Sequence, residues 1–176
     1  MKSTILKVLG GGAGVLVAVL VAIQLVPYGH DHTNPPVTQE PAWDSPRTRE
    51  LAQRACFDCH SNETVYPVYA SVAPFSWLVV DHVEEGRGKL NFSMFDRPQE
   101  EADEAGEVVG EGEMPPLYYT LLHPEARLTD AERQQLADGL VATLGGAGGE
   151  GGEARAGGAG GRWAEREAEE GEEDED

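Results

Sequence analysis

The run Arg54-Ala55-Cys56-Phe57-Asp58-Cys59-His60-Ser61 holds both cysteines of the chain and decides what kind of fold the rest can build. Cys56, Cys59 and His60 spell C-x-x-C-H, the attachment pattern of a c-type haem. Two thiols at i and i+3 lie on one side of a helical turn, where they can form thioethers with two vinyl groups. The next residue then turns its imidazole toward the iron. Two other uses of the pair stay open at this point. A structural zinc site would need a fourth ligand, for which His82 or His123 is available. A thioredoxin-type redox pair expects a βαβ setting that the flanking sequence lacks.

Outward from this motif the pattern is helical. Ser45 is a capping residue, Pro46 suits a first helical position, and Leu51, Ala52, Ala55 and Cys56 follow at helical spacing. A second helix is predicted from Pro74 to Glu85, with Phe75, Leu78, Val79, His82 and Val83 on one face and Gly86 ending it. A third starts at Pro98 and is acidic, with Ala102, Ala105, Val108 and Val109 as its apolar face. In the fourth, Thr129 and Glu132 form a capping box, Leu136, Leu140 and Leu144 line one side, and Gly145 stops it. No run alternates as a strand does, so the domain is expected to be all-α. About 100 residues remain for it, and a large buried cofactor would supply the core that its apolar residues cannot.

The second axial position decides what such a haem does. Iron held by His and Met suits electron transfer, whereas an open sixth site suits a sensor or a peroxidase-like protein. Met114 stands in Gly112-Glu113-Met114-Pro115-Pro116, where two prolines stiffen the chain behind it, and it is the expected distal ligand. His82, Met94 and His123 are the other candidates; Met94 reads as packing and His123, before Pro124, as structural. Arg87 is a candidate partner for a haem propionate, or else for Glu84 or the acidic third helix.

Lys2 and Lys7 precede a run from Val8 to Val26 in which Gln24 is the only polar side chain. This predicts an uncleaved single-pass anchor in the cytoplasmic membrane, residues 1–26, with everything after Val26 on the periplasmic, extracytoplasmic side. Residues 27–44 read as a Pro-rich stalk, with His30-Asp31-His32 as plain linker. The haem domain takes residues 45–144. From Gly145 to Asp176 eleven carboxylates face three arginines among eleven glycines, a segment too poor in apolar residues to fold; it is expected to be a disordered acidic tail with Trp163 as a lone aromatic. The tail carries −8 of the formal charge of −19, and residues 1–144 carry −11. With three lysines in all, no nucleic-acid binding is expected, and the acidic domain favours a redox partner with a basic docking surface.

The ordered set Cys56-Phe57-Asp58-Cys59-His60-Ser61-Asn62-Glu63-Thr64, Pro67-Val68-Tyr69, Ala73-Pro74-Phe75-Ser76-Trp77-Leu78, Glu85-Gly86-Arg87, Leu90-Asn91-Phe92-Ser93, Gly112-Glu113-Met114-Pro115-Pro116, Tyr119 and Leu122-His123-Pro124-Glu125-Ala126 resembles the small bacterial haem-binding domain family. The likeness spans about residues 34–144. It implies a membrane-anchored, cytochrome c-like domain with one haem, in which Cys56 and Cys59 attach haem c, His60 is the proximal ligand and Met114 the distal one. Tyr66 and Val68 depart from a family tendency toward tryptophan, and the tail is foreign to the pattern. The reading as a whole is a mono-haem electron carrier rather than an enzyme.

Overall fold

The computed structural model describes residues 2–145. Seven α-helices follow in order, α1 (Lys2–Ile23), α2 (Pro46–Ala55), α3 (Phe57–His60), α4 (Phe75–Lys89), α5 (Ala105–Gly110), α6 (Leu117–Leu122) and α7 (Asp130–Leu144), with 3-10 turns at Val68–Ser71 and Pro124–Ala126. Among the described residues there is no strand, only an isolated bridge between Gln39 and Met94. The expected all-α class therefore holds for the domain. The expected acidic tail lies, beyond Gly145, outside the described residues.

The expected transmembrane helix is corrected. A helix does form over Lys2–Ile23, but among the described residues none is long and apolar enough to cross a membrane. Gly10, Gly11, Gly12 and Gly14 count as apolar in a pattern yet carry no side chain to transfer into hydrocarbon. Moreover, the one polar residue of the run is not a guest in an apolar span. The Gln24 amide donates to the Ala73 carbonyl at 3.0 Å and accepts from the Ala73 N–H at 3.0 Å. The chain beyond α1 thus begins already tied to the domain, and Gly29, at φ 80°, packs so closely on Ser76 that a Cβ there would lie 2.8 Å from its backbone carbon.

The Pro-rich segment 27–44 is extended and lies along the domain. Thr38 and Gln39 donate their N–H groups to the Ser93 carbonyl, Phe95 donates to the Gln39 carbonyl, and His32 stacks on Tyr66 at 4.3 Å. The core beneath it is built from α2, α5 and α7 with the turn at Leu90 and Phe92. Leu51, Phe92, Leu136, Leu140 and Leu144 are its largest fully shielded apolar side chains or nearly so. Gly139 lets α7 close on α2, since a Cβ would sit 2.2 Å from the Thr48 hydroxyl.

Two expected boundaries move. Helix α4 does not end at Gly86 but runs on to Lys89; Gly86 is interior because the backbone of α3 crosses it, with the Cys59 carbonyl oxygen 2.5 Å from where a Cβ would stand. The third helix starts at Ala105 rather than Pro98, after a run of turns. Helix α6, between Pro116 and Pro124, is not among the expected ones.

Candidate functional site

The C-x-x-C-H motif forms a single helical turn, because Cys56 breaks the line of α2 at φ −124° and then accepts the N–H groups of Cys59 and His60. Its two intervening residues do the mounting. Phe57 is buried and stacks on Phe92 at 5.7 Å, which fixes the turn to the core. Asp58 faces the other way, accepting the Val65 N–H on Oδ1 and the Tyr119 hydroxyl on Oδ2. Cys56, Cys59 and His60, the three chemistry-bearing residues, are left half-buried.

His60 is oriented by a carbonyl. Its Nδ1 lies 3.1 Å from the Leu90 oxygen, which can only accept, so Nδ1 carries the proton and Nε2 keeps its lone pair. Burial holds this imidazole below its ordinary range, which keeps it in the neutral form that ligates metals. Burial also pushes the Cys56 thiol up to about 12 and the Cys59 thiol up to about 11, so both are protonated near neutrality while unattached.

Arg87 clasps the turn that follows His60. Its Nε donates to the Ser61 carbonyl at 2.8 Å, and one Nη donates to Asn34 and to the Thr64 hydroxyl. Met114 sits in the loop from α5 to α6, 37% exposed, with its N–H donated to the Val108 carbonyl. The other candidate ligands are engaged elsewhere. His82 stacks on Tyr118 at 5.3 Å, His123 pairs with the Tyr69 hydroxyl at 2.8 Å and with Glu125, and the Met94 sulfur meets the Arg97 guanidinium. Among the described residues no three His, Cys, Asp or Glu side chains gather as a metal cage, which removes the geometric basis of a zinc site.

Apolar side chains on two helices tied to the motif stand without cover. Helix α4 buries Ser76, Val80, Val83 and Gly86, while Phe75 and Leu78, from the face expected to be its inner one, are 56% and 51% exposed. Helix α6 buries none of its residues although Leu117, Tyr118, Leu121 and Leu122 are on it. Both helices are anchored to the cysteine turn, α4 by the contact of Gly86 with Cys59 and α6 by Tyr119 on Asp58. Exposed apolar side chains on two helices tied to one motif point to a binding surface. Two thiols, an imidazole with a free Nε2 and flanking apolar helices fit a haem, which is flat, largely apolar and in need of a nitrogen ligand.

A family model described as a haem-binding domain matches residues 18–142. The chain belongs to the haem-binding domain family. The match reaches back into α1, in keeping with the Gln24 contacts that tie the end of that helix to the domain. No curated protein matches this haem-binding domain, and neither does any solved structure. Two parts of its site were not visible in the sequence. Helix α6 is only two turns long and has no periodic apolar face; the signal that bounds it is the pair Pro116 and Pro124. The role of Asp58 needs a partner 61 residues away.

Proposed function

We propose that this haem-binding protein is a mono-haem c-type domain that relays single electrons on the extracytoplasmic side of the cytoplasmic membrane. The observation that carries the reading is the Cys56-to-His60 turn, with its proximal imidazole aimed through the Leu90 carbonyl and two apolar helices anchored beside it. Bound haem supplies one-electron iron chemistry, with a potential raised by His and Met ligation. Cys56 and Cys59 would hold the haem as thioethers, His60 Nε2 would be the proximal donor and the Met114 thioether the distal one. Arg87 keeps the turn behind His60 in place by its bonds to Ser61 and Thr64. Location outside the cytoplasm follows from where c-type attachment is made.

The exposure of Met114 favours a second reading, a sensor or peroxidase-like protein in which the sixth position opens. One preparation separates the two. The full chain, made in a host with cytochrome c maturation, is expected to give a pyridine haemochrome with one haem per chain that acidified acetone does not extract. Extractable haem would overturn covalent attachment. Slow or incomplete carbon monoxide binding by the reduced protein is expected; rapid, complete binding would replace the electron carrier with the open-site reading.

A further inference from the structure

We infer that Asp58 and Tyr119 form a positioning pair that sets where the Met114 loop stands relative to the Cys56–His60 turn, so that distal ligation is controlled from inside the C-x-x-C-H motif. The inference rests on the ligand assignment proposed above. The loop has two ends, and the core holds only one of them. At its start, Glu113 and Met114 both donate their N–H groups to the Val108 carbonyl, at 3.0 and 3.1 Å, and Gly112 donates to Val109. Helix α5 is itself locked onto α7, for Gly106 packs so tightly that a Cβ would stand 2.9 Å from the Ala137 carbonyl oxygen. At its far end the loop runs through Pro115 and Pro116 into α6, which has no buried residue and so takes no position from the core.

Tyr118 of α6 stacks on His82 of α4 and Arg127 donates to the Thr120 carbonyl, but what ties α6 to the cysteine turn is the hydroxyl of Tyr119, three residues past Pro116, donating to Asp58 Oδ2 at 2.7 Å. Among the described residues this is the one side-chain hydrogen bond from α6 to the cysteine turn. Asp58 is a rigid acceptor. Its other oxygen takes the Val65 N–H at 3.0 Å, its carbonyl takes the Thr64 hydroxyl at 2.7 Å, and its neighbour Phe57 is locked in the core. The Tyr119 ring is steadied in turn by stacking on His123 at 4.2 Å. A hydrogen bond to a carboxylate is among the stronger kinds, and here it closes a strap whose other end is fixed. Without it, the second half of the strap loses its tie to the cysteine turn and the thioether of Met114 is less well placed against that turn.

The test is competition for the sixth position in the oxidised, covalently loaded full chain. Tyr119→Phe removes the hydroxyl and leaves the motif intact; it is expected to weaken the sulfur-to-iron charge-transfer band and to raise the affinity for added imidazole about tenfold, the size of shift that loss of one charge-assisted hydrogen bond gives. In a Met114→Ala background the same change should do nothing more to imidazole affinity. Asp58→Asn, which keeps one acceptor oxygen, should act in the same direction but less, and it carries the test where Tyr119→Phe does not fold. A wild-type band with wild-type imidazole affinity in the folded variant overturns the pair, as does a Tyr119→Phe effect that persists without Met114. A wild-type protein with no sulfur band shows instead that the Met114 assignment itself has failed, and the pair falls with it.

Discussion

Glu132 shows how much one residue of this chain joins. Its Oε2 accepts the N–H and hydroxyl of Thr129 in the capping box of α7, and its Oε1 pairs with Arg54 at 2.8 Å and Arg47 at 3.1 Å across on α2. The bond from the Thr129 N–H, and then the Arg54 guanidinium, pull its carboxyl down to about 2 from the usual carboxylate range. A carboxyl whose folded value is depressed stabilises the fold above its unfolded value, near 4.5, and loses that contribution as pH falls toward 2. Glu132→Gln should therefore lower the thermal midpoint near neutral pH, and the gap between variant and wild type should close over that acidic window, as followed by far-ultraviolet circular dichroism. A constant gap down to pH 2 would show that charge is not what Glu132 contributes. The capping box itself was legible in the sequence because its partners lie three residues apart; the arginines, on a helix some 80 residues earlier, were not.

At the scale of elements, the close crossing of α3 on α4 is what brings the cysteine turn beside an apolar helix face. A methyl at Gly86 would meet the Cys59 carbonyl, which is backbone and cannot rotate away, whereas at Gly88 nothing stands within 4 Å. Gly86→Ala should cost about 1–3 kcal/mol as an overpacking change. Gly88→Ala in the same helix should stabilise by up to about 1 kcal/mol through helix propensity. Urea denaturation of the two variants checks the pair; equal midpoints would contradict the crossing. The sequence shows Gly86 only as a helix-stopping residue, since the local signal of a stop and of a close contact is the same. The apolar spacing of Phe75, Leu78, Val79, His82 and Val83 on α4 was legible, and its meaning only in part: tertiary packing shields Val83, with Val80 and Gly86, and leaves Phe75 and Leu78 uncovered.

For the whole molecule, that uncovered face predicts strong dependence of stability on the haem. Covering even about 100 Å² of it is worth about 2.5 kcal/mol, which for a domain of this size corresponds to a rise in Tm of about 10 °C or more. Covalently loaded protein compared with a Cys56→Ala/Cys59→Ala variant free of haem should show at least that difference by calorimetry; equal midpoints would mean that the haem does not pack on α4 and α6. The formal charge of −19 makes a second claim at this scale. Electron exchange with a small basic redox protein should slow steadily as ionic strength rises, and exchange with an acidic one should quicken, in stopped-flow mixing.

Whatever depends on neighbours in the chain was readable in advance: the C-x-x-C-H turn, the caps at Ser45 and Thr129, the all-α class and the acidic balance. Covalent spacing carries these, and so does a likeness built on ordered short motifs. Tertiary structure alone decided that Gln24 binds Ala73, that α6 exists as a tethered helix with no buried residue, and that Asp58 reaches Tyr119. Each of these rests on groups tens of residues apart, or on which of two apolar faces the core shields. Neither is written in local periodicity, because hydrogen bonds and burial act through space while periodicity records only the helix itself.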